Sequence, residues 1–259
     1  RLEGVFSLYR GDSEVSRLNR DGRLAAPSRD LLAVLAAARQ IAEVSGGAFD
    51  PTVQPLWTLY AAHFAADPGA TAGPDPAAVD VARRAIDFTA IEAGPREVGF
   101  RQPGMAVTLN GIAQGYITDR ITDLLRNDGF DHAMVELGET RALGAAPDGQ
   151  PFKVSLMRPN QPGTVAERSV SLADEALSVS GGYGLRFGAS DAHHIFDPAT
   201  GRSPNHLLDV AVVAPRAMAA DALSTAIFVA GEQAAPAILR AYPAARATIT
   251  RSNGSTVAL

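Results

Sequence analysis

Two stretches of this 259-residue chain hold residue types that can act on a phosphoryl group. The first is His193-His194-Ile195-Phe196-Asp197-Pro198-Ala199-Thr200-Gly201, which sets imidazoles beside turn chemistry. The second is Ala220-Asp221-Ala222-Leu223-Ser224-Thr225-Ala226, with a carboxylate and a hydroxyl four residues apart. An imidazole moves protons near neutral pH, and hard oxygen ligands suit a small divalent cation. A base next to such a cation is the usual equipment for phosphoryl chemistry.

Each signal has a plainer reading. Asp221 and Thr225 lie one helical turn apart on one face, but the same spacing serves a helix cap with Thr225 bonding back to the Asp221 carbonyl. A strand over His194–Phe196 would put His194 on the face of Phe196 rather than that of Ile195, which makes His194 the better candidate base. Asn110-Gly111-Ile112-Ala113-Gln114-Gly115 is a glycine-bearing turn entering a helix. Its N–H groups and dipole favour a phosphate, and glycine needed only for steric reasons would look the same. Ser45-Gly46-Gly47-Ala48-Phe49-Asp50-Pro51-Thr52 and Ser180-Gly181-Gly182-Tyr183 set small residues beside aromatics, where a flat ring could approach the backbone or a simple loop could run.

The elements that must position these residues follow from periodicity. Leu31, Val34, Leu35, Ala38, Ile41 and Ala42 recur at helical spacing behind Asp30, a candidate cap, and Ser45-Gly46-Gly47 ends that helix. A Pro/Gly/Ala-rich loop over 67–76 precedes a short helix around 77–85. A strand end at 106–109 leads through the glycine turn into a helix closed by Asn127-Asp128-Gly129. Alternation predicts strands at 131–137, 152–157, 168–172, 176–179, 194–196, 208–213 and 247–250, and helices at 219–229 and 234–241. The expectation is one α+β domain over residues 1–259, with mainly antiparallel sheet packed against helices.

Composition narrows the function classes. Hydrophobic residues make up 46% and charged residues 20%, ordinary for a globular chain. No apolar run reaches the length of a membrane span, and a net charge of −5 argues against a broad nucleic-acid surface. An anionic substrate would therefore need a cation, backbone N–H groups or local arginines. With no cysteine there is no disulfide, thiolate metal site or thiol nucleophile.

The order of these blocks resembles the FAD:protein FMN transferase family, the ApbE-type flavin transferases. Ser7-Leu8-Tyr9 with the run from Asp12 to Asn19, Gly47 to Thr52 with Pro55-Leu56-Trp57, Asn110 to Gly115 with Tyr116 and Asp119, Ser180-Gly181 with His194 to Gly201, and Ala220 to Ala226 match in sequence over nearly the whole chain. The resemblance implies an α+β fold that binds FAD as substrate with Mg²⁺. It implies transfer of FMN to a Thr or Ser hydroxyl of an acceptor flavoprotein or membrane-complex subunit through a phosphoester bond, with AMP released. The Asp221 and Thr225 side chains and the Ala113 carbonyl would ligate the metal, and His194 would be the base. Asn19, Phe49, Asp50, Thr52, Gln114, Ser180, Gly181 and His194 would line the flavin nucleotide site. An exported, periplasmic location goes with the family.

Three departures stand out. Gln114 replaces a lysine usual in the family, removing one positive charge near the phosphates. Leu137-Gly138-Glu139-Thr140 carries Glu where Gly-Gly-Asp is common, a combination similar to the branch associated with nitrous-oxide reduction. The family's first strand is expected upstream of Arg1. Two alternatives keep the nucleotide site: an FAD pyrophosphatase giving FMN and AMP, and a non-catalytic FAD-binding protein.

Overall fold

The structure, a computed structural model, describes residues 1–158 and 161–259. The chain divides into two compact units, residues 1–110 with 184–205, and residues 111–183 with 206–259. The mixture of helices and antiparallel sheet agrees with the α+β expectation. No described helix is long and apolar enough to cross a membrane.

The first unit runs α1 (Glu3–Phe6), α2 (Glu14–Asp21), β1 (Arg23–Ala25), α3 (Arg29–Val44), α4 (Gln54–Ala66), α5 (Pro76–Arg83), β2 (Ile91–Ala93) and β3 (Glu97–Phe100). The strands form a small antiparallel sheet in the order β1-β3-β2. α3 buries the expected stripe, but its cap is Ser28 rather than Asp30. The Ser28 hydroxyl accepts from Leu31 N–H at 3.1 Å, and Asp30 lies in the first turn, where a negative charge suits the helix dipole. α4 has no counterpart among the elements expected from periodicity. Its Leu56, Tyr60 and Phe64, spaced four apart, join Val79, Phe187 and Phe196 in an apolar core, with the Tyr60 and Phe196 rings 4.8 Å apart.

Two expected strands of this unit do not form. Residues 194–196 lie between isolated bridges, Arg186 with His193 and Asp197 with Arg202. Ile195 and Phe196 are both buried, so no alternation exists there. The Ser203 hydroxyl takes the place of a ladder neighbour, accepting from His193 N–H at 2.9 Å and donating to the His193 carbonyl at 2.7 Å. Residues 106–109 are irregular for a similar reason. The Asn19 amide pairs with both backbone groups of Val107, at 2.7 and 2.8 Å, and Thr108 N–H donates to the Pro51 carbonyl at 2.8 Å.

The second unit contains α6 (Ala113–Asn127), β4 (Ala133–Glu136), β5 (Thr140–Leu143), β6 (Phe152–Arg158), β7 (Gln161–Leu172), β8 (Ala176–Gly181), β9 (Leu207–Ala214), α7 (Ala217–Ala230), α8 (Ala235–Leu239), β10 (Arg246–Arg251) and β11 (Thr256–Ala258). Six strands form an antiparallel sheet in the order β11-β10-β9-β8-β5-β4, and β6 and β7 form a separate hairpin. On one sheet face Ala142, Leu177, Ala211 and Val213 pack against Leu156 and Leu172 of that hairpin. The opposite register positions, Ser178 paired with Val212 and Ser180 with Val210, face the other way, where Ser178 and Ser180 meet α7. Both faces of β9 are thus covered, which explains its nearly unbroken apolar sequence.

Helices α6 and α7 are joined by an exchange of carboxylates. Asp119 of α6, 1% exposed, accepts from Ala217 N–H at 2.9 Å and Met218 N–H at 3.1 Å. Asp221 of α7 accepts from Gly115 N–H at 3.0 Å. Each helix start therefore has two or one of its orphan donors satisfied by the other helix, since neither has a side-chain cap of its own. Gly115 is required at this crossing because a Cβ there would run into the Ala217 carbonyl. Arg141 and Arg216 pair with Asp119 and Asp123 at 2.7–3.3 Å. Replacing Asp119 by Ala should cost about 3–5 kcal/mol, the range for breaking a buried charge network; equilibrium urea unfolding measures it, and an effect under about 1 kcal/mol would contradict this account.

Candidate functional site

In the second unit Asp221 and Thr225, two of the residues expected to hold a metal, lie on α7, and Asp221 reaches the first turn of α6, which begins at Ala113. Asp221 is 4% exposed and bonded to Gly115, two residues on from Ala113, while Thr225 is half-buried one turn further along α7. The capping alternative does not describe this geometry. Asp221 lies inside α7 rather than at its start, and Ser224, not Thr225, donates to the Asp221 carbonyl, at 2.9 Å. The Gly115 N–H is committed to Asp221, so it does not serve as a free phosphate donor.

The hydroxyls around Asp221 have an order that proton counting fixes. Each hydroxyl has one proton to donate. Ser224 gives its proton to the Asp221 carbonyl, so in the 2.7 Å contact between Ser180 and Ser224 the donor is Ser180. In the 3.1 Å contact between Ser180 and Thr225 the donor is then Thr225. Thr225 thereby keeps its oxygen lone pairs for another partner.

Glu139, noted in the sequence only as a departure, belongs to this cluster. It is 8% exposed and its Oε2 has no hydrogen-bond partner. Its backbone carbonyl faces the Thr118 hydroxyl of α6 at 3.5 Å. The preceding Gly138, at φ +97°, lies against the Gln114 amide, where a Cβ would be 2.8 Å from Nε2. Burial raises the Glu139 carboxyl, opposed by the nearby Ser178 hydroxyl. Burial also raises Asp221, with the charge of Glu139 adding to it and the Gly115 N–H opposing. Arg141 and Arg216 are committed to Asp119 and Asp123, and among the described residues no cationic side chain pairs with Asp221 or Glu139.

These residues fit a hard divalent cation. Two buried carboxylates lack a counter-charge, one oxygen is orphaned, and Thr225 presents lone pairs. Among the described residues no group of three or more His, Cys, Asp or Glu could hold a metal, so any cation here would also need hydroxyl and carbonyl oxygens, which Mg²⁺ accepts. Gln114 is exposed on the first turn of α6. Ser180 is buried among the hydroxyls, and Gly181 is glycine because a Cβ would meet the Tyr183 ring and come within 2.9 Å of the Leu208 carbonyl.

In the first unit the two adjacent imidazoles are held differently. A carbonyl oxygen only accepts, so the ring nitrogen facing it carries the proton. His193 is fully buried, with Nε2 donating to the Pro204 carbonyl at 2.9 Å and Nδ1 accepting from Ile195 N–H at 3.3 Å. Both its nitrogens hold structure. His194 donates from Nδ1 to the Leu185 carbonyl at 3.2 Å, and burial lowers its pKa against that bond. It is thus neutral near pH 7, with Nε2 as the basic atom.

The other expected nucleotide-lining residues of this unit make internal bonds. Asp50 accepts from Thr52 N–H and hydroxyl at 2.8 and 2.6 Å through one oxygen, and from Phe88 N–H at 3.2 Å through the other. Thr52 accepts in turn from Asp87 N–H at 2.9 Å. Phe49 is buried, its N–H on the Ser45 hydroxyl, and Asn19 holds Val107. What they present to a ligand is therefore shape more than free polar groups.

Comparison with known proteins agrees on relatives. A profile of the ApbE family matches residues 1–249. The FAD:protein FMN transferase of Treponema pallidum is 35% identical, over 93% of this chain and 71% of that protein. The protein of the same name from Haemophilus influenzae is 33% identical, over 90% and 70%. Among solved structures, the flavin transferase ApbE from Vibrio cholerae matches with a TM-score of 0.82 at 27% identity, covering 100% of this chain and 84% of that one. The ApbE protein from Thermotoga maritima matches at 0.88 with 26% identity, over 99% and 84%.

The buried His193 gives this region a pH signature. Burial pushes its pKa down to about 4 from 6.5, opposed by the Pro204 carbonyl and helped by the charges of His194 and Arg186. Between those values the unfolded chain binds the proton and the folded one does not, so stability is highest above about pH 6.5 and falls toward pH 4. His193→Gln should flatten this part of the profile, read as the urea midpoint at pH 7 and pH 5. An unchanged drop between the two would show that His193 does not titrate this way.

Proposed function

The chain belongs to the ApbE family, whose curated members are FAD:protein FMN transferases, and from that membership we propose the reaction and roles that follow. The acceptor Thr or Ser oxygen attacks the FMN-side phosphorus of FAD. The phosphoester bond forms as the pyrophosphate bond breaks, and AMP leaves with the bridging oxygen. The hydroxyl proton passes to Nε2 of His194, which its Nδ1–H bond to Leu185 orients. A neutral imidazole is the form a general base needs.

The observation that carries this reading is the uncompensated oxygen cluster at the α6–α7 junction. Asp221, Thr225 and the Ala113 carbonyl would hold Mg²⁺, whose chemistry is to neutralise charge on the pyrophosphate. Ser180 contributes by orienting the Thr225 hydroxyl. With Gln at position 114, phosphate charge is left to the cation and to arginines such as Arg120, Arg186 and Arg202. An exported, periplasmic setting belongs to the same proposal.

Incubation with FAD, Mg²⁺ and an acceptor domain should add one FMN to the acceptor, read by intact mass, with AMP released. EDTA should abolish the addition and excess Mg²⁺ restore it. His194→Ala should slow transfer by about 10²–10⁴-fold, the usual worth of a positioned general base, while FAD still binds. Release of FMN and AMP at the same rate without acceptor would instead establish a pyrophosphatase.

A further inference from the structure

Glu139 has no role in the proposed reaction, yet it is buried and its Oε2 has no hydrogen-bond partner. Two contacts fix its place. Gly138 packs on Gln114 in the first turn of α6, and the Glu139 carbonyl faces Thr118 one turn later. Asp221 reaches the same first turn through Gly115. Two carboxylates thus approach one helix start, and the fold supplies no cationic side chain for either among the described residues. Left alone, such a pair resists carrying two negative charges in a medium where charge is poorly screened. The orphaned Oε2 is the oxygen with capacity to spare.

We propose that Glu139 is a second carboxylate of the cation site at the α6–α7 junction, its negative charge joining that of Asp221 in holding the divalent ion. The ion then does for this pair what a lysine or arginine does in an ordinary buried network. Without it the junction is under electrostatic stress, and with it the helix starts and the β5 entry are drawn together. The inference rests on the reading of the Asp221 cluster as a Mg²⁺ site, and the test separates the two.

The measurements are Mg²⁺ binding by calorimetry on the full chain, with no nucleotide present, and thermal midpoint in EDTA. Glu139→Gln keeps the shape and removes the charge. It should weaken Mg²⁺ binding by about 10–100-fold while leaving the EDTA midpoint equal to or above that of the parent, because repulsion with Asp221 is relieved. A merely structural glutamate would lower the midpoint and leave affinity alone, and that pattern overturns the proposal. Glu139→Asp retains the charge and should bind Mg²⁺ more tightly than Glu139→Gln; equal loss in both also overturns it. If Asp221→Asn binds Mg²⁺ as tightly as the parent, the cation site itself is wrong, whatever Glu139 does.

Discussion

The second unit depends on a mutual arrangement between two helix starts. α6 and α7 each begin without a side-chain cap of their own, and each receives a carboxylate from the other. Backbone N–H groups at a helix start are both unsatisfied and positively biased, so a buried carboxylate there answers two needs at once. The exchange is possible only because Gly115 lets the α7 backbone come close enough for both bonds to form. The same contact gives the buried Asp221 carboxyl a backbone donor for one of its oxygens.

The sequence made much of this legible, and the misses have physical causes. The regular helices could be read because their apolar spacing matches their burial, as in α3. Asp221 and Thr225 could be singled out by type and spacing and Ala113 only through the family resemblance, but spacing along one helix cannot show that Asp221 bonds a different helix. Glu139 shows in the sequence only as a departure from the family pattern, because it stands just before a four-residue strand that is buried at every position and lacks alternation. α4 carried its signal in Leu56, Tyr60 and Phe64, and went unread beside the turn that precedes it. The segment around His194 failed as a strand because a side chain, Ser203, replaces the neighbour that strand alternation assumes.

Adjacent residues of one type need not share a task. His193 has both ring nitrogens engaged with backbone groups, whereas His194 has one so engaged. The first imidazole supports the loop that presents the second. Ser178, Ser180 and Ser224 show the same division, since a hydroxyl's use depends on which neighbour takes its single proton.

The covering of β9 on both faces has a dynamic consequence. The strand carries no site residue, yet it runs beside β8, whose Ser180 orients Thr225, and its apolar side chains lie between the hairpin and α7. A central strand packed on two sides exchanges its amide hydrogens only in the rarest openings. The oxygen cluster is therefore anchored to the part of the unit with the slowest local opening. Solvent reaches the cluster at the half-buried Thr225, whereas Asp221, Glu139, Ser180 and Ser224 are buried against that slowly opening sheet.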